Sequence, residues 1–226
     1  LVDCGMSLRP AASKEHQFAL GQVGLKLLAS ARPKPLVVLY LPTIRVCGGI
    51  VGMAQDYVGS NNINLLLPNG QFGTRLEGGK DAASERYIFT EPSPLTRLIF
   101  PEADDRVLNY LDDDGLSVEP QFYAPIIPML CINGCKGIGT GFSTDIPPCN
   151  PLEVIDYLTQ SLRGQPTDHF TLNPHYNGFT GTVAPVAPSK YLIRGKYTLV
   201  SDKRVHVTEL PVGTWTATFK KHLEDL

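Results

Sequence analysis

Arg86 and Tyr87 stand side by side at the end of a loop that runs from Gln71 and carries Arg75, Glu77, Lys80, Asp81 and Glu85. A tyrosine in such a place can act as a nucleophile. Its phenol attacks phosphorus and forms a phosphotyrosyl ester, which conserves the energy of a broken phosphodiester. A neighbouring guanidinium can fork onto the phosphate oxygens and neutralise the charge that builds up during displacement. Gly73, Gly78 and Gly79 suit a backbone that approaches a polyanion closely, with Arg75 and Lys80 as positive charges. The competing reading of an isolated Arg-Tyr pair is an amphipathic packing residue beside a solvated charge.

The elements that must position this pair are short. Residues 50 to 58 place Ile50, Ala54, Tyr57 and Val58 on one helical face, with Gly59 as the stop and residues 60 to 62 as a turn. Ser93 and Pro94 read as N-cap and first residue of a helix from Leu95 to Phe100. The Asp104-Asp105 pair and the run Asp112 to Gly115 are expected to bracket another short helix. The Asp run lacks the later ligand spacing of a calcium-binding loop and reads as a solvated turn. Residues 126 to 132 read as an apolar strand. Asn150, Pro151 and Glu153 form a strong helix start, with Leu152, Ile155, Leu158 and Leu162 as a buried stripe and Gly164 as the end. From Thr180 the pattern becomes strand-like, at 180–184, 190–194, 196–200 and 204–209. The expected class is therefore α+β, helix-rich before a boundary near 125–135 and sheet-rich after it.

Longer blocks give these residues a context. Residues 54–75, followed by Gly78 to Ser84 and Arg86 to Thr90, resemble the eukaryotic type IIA DNA topoisomerases. A second block, from Pro125 to Met129 and on through Asn133, Gly134 and Gly137 to Ser143, resembles the same family in the same order, as does a third, Thr208 to Pro211 with Thr214 to Thr216. The resemblance implies a winged-helix domain over 1–128 that carries the active tyrosine, then the N-terminal part of a tower domain over 129–226. It implies Tyr87 as the nucleophile that bonds to the 5′ phosphate, and Arg86 as the clamp on the transition state. Ile138 matches the isoleucine with which the family wedges base pairs apart and bends the duplex; the alternative for Ile138 is ordinary core packing. Asn61, Asn62, Gln71, Arg75 and Lys80 are candidate DNA backbone contacts, against the alternative of an exposed polar loop. Lys136 stands where the family usually has an acidic residue.

By the same resemblance, Mg²⁺ and ATP belong to parts of the polypeptide outside these residues, the partner is double-stranded DNA, and the assembly is a homodimer. The expected compartment is the nucleus or another DNA-containing organelle. Without an initiating Met or a secretory signal, the chain is expected to be a fragment. The likeness lapses between residues 4 and 48, which suggests a frame-shifted segment, with true divergence as the alternative; no functional residue is assigned there. A non-catalytic DNA-binding or architectural module of the same fold is the rival reading. A dinucleotide loop at Gly137 to Gly141 fails on spacing, since position 142 is Phe.

Composition constrains these expectations. The chain has 226 residues, 42% hydrophobic and 19% charged, as in an ordinary globular domain. Its longest apolar run, Leu36 to Leu41, is too short to cross a bilayer as a helix. Five cysteines at 4, 47, 131, 135 and 149 form an irregular set that fits reduced thiols better than a disulfide framework. Cys131 and Cys135 lack a matching second pair for zinc. A net charge of −2, with seven Lys/Arg against twelve Asp/Glu over residues 45–140, requires any DNA surface to be a focused patch. Trp215 and His206 read as packing residues.

Overall fold

The computed structural model describes residues 37–38 and 44–226. The segment 4–48 therefore lies largely outside the described residues. The first strand, β1 (Val37–Val38), pairs antiparallel with β2 (Phe89–Thr90). On its other side β2 is joined to residues 66–69 by backbone hydrogen bonds, Phe89 N to Asn69 O at 3.0 Å and Leu67 N to Glu91 O at 2.8 Å. Helix α1 (Ile44–Ala54) packs on this small sheet. Ile50, Ala54, Leu66, Phe72 and Ile88 form the buried cluster between them. Each large side chain of this cluster contributes about 2 kcal/mol by leaving water.

The helix ends at Ala54, not at Val58. The amide of Asn61 turns back and donates to the carbonyls of Gly52 and Gln55, at 2.7 and 2.8 Å. Those are orphan carbonyls of a helix end, and satisfying them from outside stops the helix there. A second cluster joins α2 (Thr96–Ile99) to the residues before α3 (Met129–Asn133): Ile99 and Phe100 pack with Ile63, Leu65, Tyr123 and Ile127.

Between α2 and α3 the sequence led us to expect a helix, and the chain forms a 3₁₀ turn and a hairpin instead. Arg97 forks onto Asp105 at 2.7 and 3.4 Å and holds the turn Glu102–Val107 against α2. Strands β3 (Tyr110–Asp113) and β4 (Leu116–Pro120) follow, joined by Asp114 and Gly115 at φ +52° and +83°. Two positive φ angles in a two-residue loop match the right-handed twist of a hairpin, and Asp-Gly tolerates them.

The expected apolar strand at 126–132 is in part α3, because Pro128 removes a backbone donor that a ladder would need. Next come the hairpin β5 (Cys135–Gly139) and β6 (Phe142–Ile146), helix α4 (Pro151–Leu162), and two further hairpins. These are β7 (Thr182–Ala187) with β8 (Lys190–Arg194), and β9 (Lys196–Ser201) with β10 (Arg204–Glu209). The chain closes on α5 (Thr216–Glu224). Helices and hairpins occur on both sides of residue 130, and among the described residues strand outweighs helix only after it.

Asn150 caps α4 as its sequence predicts, its side chain accepting from Leu152 N at 3.0 Å. The stripe on that helix is not buried as expected. Leu152 is 70% and Leu162 89% exposed, and Val154, off the stripe, is the residue that packs inward.

Candidate nucleic-acid cleavage site

Tyr87 closes a 3₁₀ turn, Glu85–Tyr87, in which its N–H donates to Ser84 O at 2.9 Å. The next residues enter β2, where successive side chains point to opposite faces. Ile88 and Thr90 are buried at 1%, and Tyr87 is 68% exposed. The core therefore grips the residue after the tyrosine and leaves the phenol in solvent. Arg86 is also exposed, and its guanidinium carbon lies 5.3 Å from the Tyr87 ring centroid in a cation–π contact. Such a contact at an exposed position is weak and leaves the guanidinium available to a phosphate.

The loop before it is rigid for reasons that its sequence does not show. Asp81 closes it by accepting from Thr74 N at 2.8 Å, the Thr74 hydroxyl at 2.6 Å and the Gln71 amide at 3.1 Å. The Thr74 hydroxyl foremost, then the Thr74 N–H, hold the Asp81 carboxyl below its ordinary range. Gly73 and Gly79 touch backbone to backbone: a Cβ on Gly73 would come within 2.6 Å of Gly79 Cα. A Cβ on Gly78 would overlap the indole of Trp215, which also meets Tyr57 edge-on at 6.0 Å. These glycines make room for other parts of the protein, in addition to any ligand. Trp215 packs as expected, whereas His206 is exposed on β10 opposite Thr198.

The candidate contact residues separate into two kinds. Lys80 is exposed and has no ion pair among the described residues. Gln71 is exposed but shares Asp81. Arg75 binds Glu209 at 2.6 Å and donates to Leu210 O at 2.8 Å, tying the loop to the end of β10. Asn61 caps α1. The Asn62 amide donates to the carbonyls of Ile132, Cys149 and His175 at 2.9, 3.0 and 2.9 Å, and its oxygen accepts from Asn177 N at 2.8 Å. Asn133 completes this junction, accepting from the N–H groups of Asn62 and Ile63 and donating to Ile63 O. Asn133, Asp81 and Glu209 were not singled out from sequence. Asn133 reaches partners up to 71 residues away, and the Arg75 contact spans 135, so no local pattern announces them.

Ile138 lies near the tip of the β5–β6 hairpin, opposite Ser143, and is 93% exposed. Core packing within the described residues is therefore not its role. Among the described residues no group of three or more His, Cys, Asp or Glu side chains could hold a metal ion.

Burial pushes the Glu209 carboxyl up, but the Thr180 N–H, the Arg75 guanidinium and the Thr180 hydroxyl outweigh it and hold it below its ordinary range. A lowered folded pKa gives stability that is complete above the unfolded value and is lost as pH falls through the folded one. Melting temperature should therefore fall as pH drops below about 4.3, the ordinary glutamate value. Glu209→Gln should melt lower at neutral pH and show a flatter acid limb. An unchanged acid limb in that variant would show that the Arg75–Glu209 clamp adds no pH-dependent stability.

The described residues thus form a mixed α/β fold with an exposed Arg-Tyr pair beside a closed glycine loop and an exposed isoleucine on a hairpin. The family model of the DNA gyrase/topoisomerase IV A subunit matches residues 45–226, and the chain belongs to that family. It is 50% identical over 185 residues to DNA topoisomerase 2 of Arabidopsis thaliana, which covers 80% of this chain and 12% of that protein. It is 49% identical over 174 residues to DNA topoisomerase 2 of Saccharomyces cerevisiae, covering 77% of this chain and 12% of the yeast protein. The chain thus matches only 12% of the length of these relatives. The topoisomerase II DNA-binding, cleavage and re-ligation domain of Plasmodium falciparum superposes with a TM-score of 0.84 at 36% identity, over 92% of this chain and 30% of that one. The family match begins at residue 45, within α1 and a little before the Ile50 at which the sequence blocks suggested it.

Proposed function

We propose that this chain supplies the strand-cleaving part of an ATP-dependent type II topoisomerase. One observation carries the reading: a phenol 68% exposed beside an exposed guanidinium, at the end of a 3₁₀ turn whose next residue, Ile88, is buried at 1%. Tyr87 Oη gives up its proton and attacks a backbone phosphorus, the new O–P bond forms in line as the P–O3′ bond breaks, and the 3′ oxygen leaves as a hydroxyl, so that one proton is lost and one taken up. Arg86 swings from the ring to the equatorial phosphate oxygens and stabilises their charge. The reverse attack by the 3′ hydroxyl reseals the strand with no outside energy. Two copies in a homodimer, each with one Tyr87, break both strands for duplex passage. Residues 1–128 serve as the winged-helix domain and 129–226 as the start of the tower. Mg²⁺ and ATP are held elsewhere in the polypeptide, and the enzyme works in the nucleus or another DNA-containing organelle. Lys80 and Gln71 remain candidate phosphate contacts. Asn61, Asn62 and Arg75 have their polar groups engaged within the protein.

The test is covalent capture of DNA by the yeast relative with residues 45–226 of this chain grafted in place of its matching segment. Arg86→Lys is expected to lower captured 5′ ends about 100-fold, because a point charge cannot fork onto two oxygens. Capture at the unsubstituted level would remove Arg86 from the transition state. Ile138→Ala is expected to shrink the wedge and reduce the duplex bend while encounter with DNA, which depends on phosphates, changes little. Energy transfer across an end-labelled duplex measures this, and an unchanged bend in a folded variant would sink the wedge reading.

A further inference from the structure

The β5–β6 hairpin has two faces, and they differ. Its register sets Lys136 opposite Asp145 and Ile138 opposite Ser143, so these four share one face. The other face carries Gly137 opposite Thr144 and Gly139 opposite Phe142. On the first face Lys136 Nζ lies 3.3 Å from an Asp145 oxygen, and the two side chains are 83% and 73% exposed. An ion pair this open to water is worth little and exchanges readily.

Distance gives Lys136 a second partner. Two residues along a strand span about 7 Å, and the minor groove, from which apolar wedges enter, is about 7.5 Å deep. With Ile138 at the base stack, Lys136 reaches the rim of the groove, where the phosphates are. Asp145 is carried to the same rim and would repel them unless a cation accompanies it. We propose that Lys136 is a phosphate-binding residue, which trades its ion pair with Asp145 for a backbone phosphate when Ile138 enters the duplex. The proposal rests on the wedge reading of Ile138. Its rival is a cross-strand pair that serves only the hairpin.

The test measures binding of the purified chain to a duplex of about 25 base pairs from about 50 to about 200 mM salt. Lys136→Gln is expected to make the slope of log affinity against log salt shallower by about 0.9, the loss of one phosphate contact. Asp145→Asn is expected to tighten binding. The deciding arm is Lys136→Gln within Asp145→Asn. A phosphate contact still loses about 0.9 of slope there, whereas a lysine that only neutralises Asp145 loses nothing, and that result overturns the proposal. Absence of measurable duplex binding by the unsubstituted chain at the lowest salt overturns it as well. Bend measurements on Ile138→Ala separate the two readings. A retained bend removes the wedge and the Lys136 proposal with it, while a lost bend with an unmoved Lys136 slope removes the phosphate contact alone.

Discussion

Tyr87→Phe in the grafted yeast enzyme is expected to abolish covalent capture of DNA, a drop of about a thousandfold or more, with noncovalent binding nearly unchanged. The substitution deletes one oxygen from a side chain that is 68% exposed, so the fold does not depend on it. The Tyr87 hydroxyl has no hydrogen-bond partner among the described residues, and the ring's contact with Arg86 survives in phenylalanine. What disappears is the atom that bonds to phosphorus. Denaturing gels that retain protein on 5′ DNA ends measure the loss directly. Capture that persists in the phenylalanine variant would assign the nucleophile to another residue. A parallel loss of noncovalent binding would mean that Tyr87 acts mainly as a binding surface.

Asn62→Ala should have the largest effect on stability among the candidate site residues. The two N–H bonds of the amide serve three carbonyls on three separate segments, one of them shared, and its oxygen accepts one N–H. Each bond is worth about 1 kcal/mol net, and an abandoned half-buried carbonyl adds its own desolvation cost, so the expected loss is about 3 kcal/mol. For a chain of this size that corresponds to a melting point lower by about 8 °C. Asn62→Asp should be at least as damaging, since a carboxylate would face those three carbonyls with no proton to donate. Lys80→Ala, on the exposed part of the neighbouring loop, should leave the melting point within about 1 °C. If Asn62→Ala melts like the unsubstituted protein and instead binds DNA more weakly, the amide is a DNA contact and the junction around it is not structural.

The two asparagines show where reading the sequence stops. Asn61 and Asn62 sit in a polar turn, and from composition alone an amide there is equally suited to a phosphate or to a carbonyl. Only the fold brings the C-terminal end of α1 to Asn61, and Ile132, Cys149 and His175 to Asn62. Arg75 follows the same logic: a guanidinium in a glycine loop suits a polyanion, yet Glu209, 134 positions on, reaches it first. The helix α4 stripe misled for a related reason. Periodicity reports which side chains share a face, but not whether anything packs on it.

What the amino-acid order did determine is local or rests on blocks of family resemblance. The Asn150 cap, three of the four late strands to within a residue, and the turn in the Asp112 to Gly115 run all depend on neighbours a few positions apart, where backbone preference decides. The family was legible because its long blocks recur in order. The tertiary structure decided which polar groups are free. Engagement of Asn61, Asn62 and Arg75 follows from segments that only the fold brings to them, whereas Tyr87, Arg86, Lys80 and Ile138 stay exposed because no described segment packs over them. That engagement is settled in three dimensions, because a buried carbonyl or carboxylate left without a partner costs more than a solvated one.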